Sequence, residues 1–148
     1  MEKVIANLKT LGIDMIHQAN SGHPGIVLSA APMLYTLYAK HMHINPKDPR
    51  WINRDRLVLS AGHGSALLYA VLYMVGFLTL KDLKEFRQLS SVTPGHPEYQ
   101  VTPGVDMSTG PLGQGLATAV GMAMGEKHLQ TKFPNYALIN YYVYCVCG

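Results

Sequence analysis

Apolar residues recur at helical spacing at the start of the chain. Val4, Leu8, Leu11 and Met15 share one face and predict an amphipathic helix over residues 2–18. The polar stretch NSGHPG (20–25) ends it. Apolar residues resume at Ile26. Pro32 is tolerated in a first helical turn but not in an interior, which predicts a second helix over residues 30–42. Turn chemistry in INPKDPRWINRDR (44–56) predicts a loop. The run LVLSA (57–61) reads as a short buried strand. GHGS follows it, then a helix over 65–75 stopped by Gly76. Thr79 with Asp82 forms a capping-box pattern that opens a short helix, 80–88. Residues 90–112 are rich in proline and glycine, and a loop that long inside a compact domain is usually functional. A helix over 114–130 and a strand over 141–147 complete the pattern.

Strands alternating with helices predict an α/β domain with a parallel sheet. Two strands are too few to close such a sheet, so the fold class is an incomplete parallel sheet flanked by helices. No repeat of 20–50 residues and no low-complexity tract interrupts it.

Composition sharpens this picture. A chain of 148 residues buries about 68–70% of its unfolded surface, enough for a real core. Apolar residues make up 48% and charged residues only 14%, against a usual charged share of ~25%. Such a surface suits cover by further chain or by a second subunit. No apolar run reaches the ~18–20 residues of a membrane helix. The opening MEKVIANLKTLG is amphipathic and holds an acidic residue, unlike a signal or transit peptide. The expected compartment is the cytoplasm. Net charge is +3, but the basic residues are scattered, so nucleic-acid binding is not expected. Cys145 and Cys147 lie two apart on the last strand. They read as small hydrophobes, not as a redox pair.

Of seven histidines, three follow glycine in predicted loops: His23 in SGHPG, His63 in SAGHGS and His96 in PGHPE. Each alone reads as a turn histidine. Together they suggest a site, because glycine lets backbone approach a ligand closely. His63 sits in a strand–turn–helix sequence. In an open α/β sheet, ligands bind beyond the strands' carboxyl ends, and helix N-termini favour phosphate. No G-K-[ST] occurs, which excludes a P-loop, and MSTGPLGQGLATAVG (107–121) fails the dinucleotide fingerprint. In that stretch Ala117, Gly121 and Gly125 lie four apart and read as a close helix-packing face, while Gly110 to Gly115 suit close approach to a ligand as well as packing. His41 and His43 form H-x-H, a spacing known from metal sites. They also end a predicted helix, where imidazolium suits the dipole. His17 and His128 read as ordinary helix residues. The carboxylates form no evident acid/base pair.

The stretches ANSGHPG (19–25), NRDRLVLSAGHGSALLYA (53–70), PGHPE (94–98) and TPGVDMSTGPLGQGLATAVGMAMGEK (102–127) resemble transketolases, in order along the whole chain. The resemblance implies thiamine diphosphate as cofactor and transfer of a two-carbon ketol unit from a ketose phosphate to an aldose phosphate. It implies that His63 contacts the diphosphate side of the cofactor. Gly110, Pro111 and Leu112 would bind the same cofactor, Gly110 through its backbone at the aminopyrimidine and Leu112 against the thiazolium. His23 and His96 would be catalytic, lining the sugar channel and assisting proton transfer.

By the same resemblance, YVYCVCG would run into Gly-Asp-Gly, with Gly148 as the first glycine. The ligands of the Mg²⁺ or Ca²⁺ ion would lie beyond Gly148, leaving no metal ligand in this chain. The activating glutamate would come from a second domain on the partner subunit of a homodimer. Residues 1–148 are then expected to be the N-terminal part of the diphosphate-binding domain, with no second domain, and inactive alone. A related ketol transferase such as dihydroxyacetone synthase, a split-enzyme subunit, a truncated interaction fragment and a three-histidine zinc site are the alternatives.

Overall fold

The computed structural model describes residues 1–134 and 139–148. Helix α1 spans Glu2–Ala19 and buries Leu8, Gly12 and Met15. Gly12 allows a close helix crossing: a Cβ there would lie 2.6 Å from Val27 Cγ1 of the next helix. Asn20 ends α1 in the left-handed region with φ 47°, a conformation asparagine tolerates.

Helix α2 spans Pro24–Lys40 and buries Val27, Ala31, Leu34 and Tyr38. It begins earlier than expected, because Pro24 occupies its first turn and Pro32 lies in its interior. The interior proline is accommodated where Leu28 and Pro32 are both exposed. The Leu28 carbonyl, which loses its helical donor there, can meet water.

Strand β1, Arg56–Leu59, pairs in parallel with β2, Val143–Val146, in the register Arg56↔Val143 to Leu59↔Val146. Both are shorter than the runs that predicted them. A single 3-10 turn, Gly62–Gly64, leads from β1 into α3, Ser65–Met74. Helix α3 is buried from Ser65 to Leu72 and packs on α1 and α2. Burying an aliphatic side chain in this way contributes about 1.5–3 kcal/mol.

Helix α4, Leu80–Lys84, carries the expected capping box: the Asp82 N–H donates to Thr79 Oγ1, and Asp82 Oδ2 accepts from the Thr79 N–H. It is shorter than its predicted range because the chain turns at once, reaching a positive φ at Arg87 (61°). Helix α5, Gln114–Lys132, lies against β1 and β2 but buries only Gly115 and Ala119. Among the described residues, the expected packing face meets no partner. Ala117 is exposed, and a Cβ at Gly121 or Gly125 would meet nothing within 4 Å. No described helix is long and apolar enough to cross a membrane.

A charged frame fixes where the two strands begin. The Arg54 guanidinium lies 2.6 Å from Asp106 Oδ1, with both side chains almost fully buried. Asp106 Oδ2 accepts the Leu57 N–H at 2.9 Å, so the pair is also tied to β1. Asp55 accepts the N–H groups of His43 and Tyr142, each at 2.7 Å, and so joins the loop before β1 to the segment before β2. His43 is thereby engaged structurally, and His41 caps α2 through its N–H to the Leu37 carbonyl. Among the described residues, no cluster of three or more His, Cys, Asp or Glu side chains could hold a metal ion.

Candidate functional site

Four loops meet at the carboxyl end of β1. The 3-10 turn presents His63. His23 stands immediately before Pro24 at the start of α2, with extended backbone. The His23 and His63 rings lie edge to face, 5.2 Å between centroids. His96 belongs to the third loop. Partial loss of hydration at the loop, followed by the positive charge of Arg87, His23 and His63, lowers its pKa from the ordinary imidazole value. The fourth loop contributes Gly110, where a Cβ would sit 3.8 Å from the His96 ring. The structure therefore brings together His23, His63, His96 and Gly110. His23 and His96 are exposed and His63 is half-buried, so this face is open to solvent. Pro111 and Leu112 follow Gly110 but remain exposed, Leu112 by 79%.

Specific bonds hold these loops in place. Thr109 Oγ1 donates to the Leu59 carbonyl at 2.7 Å, and the Thr109 N–H donates to the Pro97 carbonyl at 3.1 Å. The fourth loop is thereby tied both to β1 and to the loop of His96. Gly62 makes the approach possible: a Cβ there would lie 2.8 Å from Thr109 Oγ1 and 3.1 Å from the Gly110 nitrogen. Gly115 does the same for α5, since a Cβ would fall 2.5 Å from Ser60 Cα. Helix α3 secures the His96 loop from below. Ser65 Oγ donates to the Gly95 carbonyl at 2.7 Å, and the Tyr69 hydroxyl donates to that of Pro94 at 2.8 Å. Burial raises the Tyr69 pKa well above the phenol range, so the hydroxyl stays a donor.

The backbone of the 3-10 turn qualifies one expectation. The N–H groups of Gly64 and Ser65 are taken up by the carbonyls of Ala61 and Gly62, and Ser65 and Ala66 are buried. The amides at the very start of α3 are therefore not the exposed anion donors that the strand–turn–helix pattern suggested. What faces the open side is the His63 imidazole. Gly148 lies beside it: a Cβ at Gly148 would be 4.0 Å from His63 Cε1 and 3.6 Å from Ala61 Cβ. The end of β2 thus arrives at the same place as the 3-10 turn.

Thr109, Ser65 and Tyr69 were not singled out by sequence reasoning. Their side chains bond to backbone carbonyls far along the chain, and no local motif marks such bonds. Two clefts lie elsewhere. One of about 350 Å³ borders Met33, Leu37, His41 and Tyr144. Another of about 500 Å³ borders Lys127, Gln130, Phe133 and Ile139. Neither includes the three histidines.

The family model described as "Transketolase, thiamine diphosphate binding domain" matches residues 1–148. A transketolase of Geobacillus stearothermophilus is 56% identical over 150 residues, covering 99% of this chain and 22% of its own length. One of Aquifex aeolicus is 58% identical over 146 residues, covering 97% of this chain and 21% of its own length. Among solved structures, the transketolase of Leishmania mexicana superposes with a TM-score of 0.96 at 51% identity, covering 99% of this chain and 22% of that one. The Pichia stipitis transketolase in complex with sedoheptulose 7-phosphate gives 0.94 at 46% identity, with the same coverage. The chain spans about a fifth of the length of these relatives.

Proposed function

The chain belongs to the transketolase family, as the N-terminal part of its thiamine diphosphate-binding domain, and from this premise we propose that it forms one wall of a ketol-transferase active site. The complete protein would move a two-carbon ketol unit from a ketose phosphate to an aldose phosphate. The observation that carries this reading is the convergence of His23, His63, His96 and Gly110 at the carboxyl end of β1. A doubly wound α/β sheet binds its ligands at that end.

The residues present fit the cofactor. Glycine at position 110 leaves its half-buried backbone uncovered beside the His96 ring, and a half-buried imidazole at His63 can donate to a diphosphate oxygen. When bound, thiamine diphosphate supplies the electron sink for carbon–carbon bond cleavage. His63 would hold the diphosphate end, and the backbone of Gly110 with Pro111 and Leu112 would line the ring side. His23 and His96 face the sugar and exchange protons with its hydroxyl and carbonyl oxygens. A neutral His96 suits a proton acceptor, since its pKa is held below the usual imidazole range. The position of Gly148 next to His63 supports entry of a Mg²⁺- or Ca²⁺-binding segment at the diphosphate.

We further propose a homodimer. The stripe Leu116, Val120 and Met124 along α5, with Leu112 just before the helix, is 49–79% exposed, a poor surface to leave in water. The substrates are sugar phosphates, as in the Pichia stipitis complex. Free thiols at Cys145 and Cys147 suit a cytoplasmic setting. The test is ketol transfer by the complete gene product with thiamine diphosphate and Mg²⁺. Turnover of a ketose phosphate with an aldose phosphate, lost in His96→Ala, is expected. Absence of transfer by the folded, cofactor-supplemented protein contradicts the proposal.

A further inference from the structure

We propose that Arg87 is the positioning residue of this site, bridging the loops of His23 and His96 through its two guanidinium nitrogens. The proposal rests on the ketol-transferase reading above for its catalytic consequence, but its geometry stands alone. One guanidinium nitrogen of Arg87 donates to Ser21 Oγ at 2.9 Å, two residues before His23. The other donates to the Gly95 carbonyl at 3.3 Å, one residue before His96. These loops are more than seventy residues apart in sequence, and one side chain spans them. Arg87 is itself held at an unusual backbone angle, φ 61°. Its N–H donates to the Thr93 carbonyl at 3.0 Å, so its own position is fixed by the His96 loop. Gly95 permits the approach, since a Cβ there would lie 3.2 Å from Arg87 Cζ.

The electrostatics point the same way. Among the described residues, no carboxylate forms an ion pair with Arg87. Its Nε is buried and has no hydrogen-bond partner among the described residues. An unneutralised guanidinium in such a place acts on its neighbours. Desolvation acts most on His96, and the charged groups Arg87, then His23 and His63, add to it in disfavouring its protonation. A guanidinium keeps its charge across the working pH range. As pH falls, His96 thus takes up its proton later than an ordinary imidazole.

The test uses the complete protein with thiamine diphosphate and Mg²⁺, comparing Arg87→Met and Arg87→Lys with the wild type. Arg87→Met should lower kcat about tenfold or more, as expected for lost orientation, while cofactor affinity changes less than about twofold. The His96 midpoint, read by NMR and assigned with His96→Gln, should rise toward the ordinary value. The acid limb of kcat/KM should move to higher pH with it. Arg87→Lys keeps the charge but has no fork to span two loops, so its midpoint should stay low while kcat falls. Unchanged kcat and midpoint in Arg87→Met would overturn the proposal, as would loss of cofactor binding in proportion to activity. If Arg87→Met does not fold, Arg87→Lys decides, and wild-type kcat in that variant overturns the bridging role. A wild-type protein without ketol transfer would defeat the functional reading. The His96 midpoint would still judge Arg87.

Discussion

Helices α3 and α5 both start beside the carboxyl end of β1 after a glycine turn, yet they use their surfaces in opposite ways. In α3 eight of ten residues are buried, and the helix is apolar on every side. In α5 only two of nineteen are buried, although the helix carries Leu116, Val120 and Met124. The first is a structural post: its stability comes from contacts inside this chain, and Ser65 and Tyr69 on it hold the His96 loop. The second touches the sheet along a narrow line and leaves an apolar stripe free. Stability and assembly should therefore respond to different substitutions.

The largest effect is expected at the frame on which β1 rests. Asp106→Ala leaves Arg54 buried without its partner and should destabilise the chain by about 3–5 kcal/mol, read as a shift in the urea midpoint. A smaller value would mean that Arg54 reaches water on losing Asp106. Next comes α3 itself. Leu72 is fully buried, and Leu72→Ala should cost about 2–5 kcal/mol in the same assay. At the seam of the two regions, Gly115→Ala sets a methyl against Ser60 Cα and should cost about 1–3 kcal/mol. The smallest effect belongs to α5. Val120→Ala should change unfolding by no more than about 0.5 kcal/mol, and a core-sized loss there would erase the contrast between the helices.

The parts legible in the sequence were those fixed by near neighbours. Thr79 and Asp82 announce their capping box within four residues, and the strand–turn–helix at 57–75 is a local pattern of apolar residues and glycine. Proline misled for a local reason too. Pro32 looked like a helix start because its cost in an interior was counted, but Pro24 already supplied the start and exposure relieved the interior one. Small residues in α5 suggested packing because spacing records periodicity and not a partner. Arg54 with Asp106, Thr109 with Leu59, and Arg87 between Ser21 and Gly95 were illegible. Each joins residues far apart, and only the folded chain defines them. The three glycine–histidine loops could be picked out as candidates, but their meeting at the carboxyl end of β1 is a tertiary fact.

The central claim is that this meeting point receives the cofactor through His63. Isothermal titration of thiamine diphosphate into the complete protein with Mg²⁺, wild type against His63→Ala, tests it directly. Loss of one hydrogen bond to a charged group is worth about 1.5–3 kcal/mol, so affinity should fall about tenfold or more. Equal affinity in the two proteins would contradict the account.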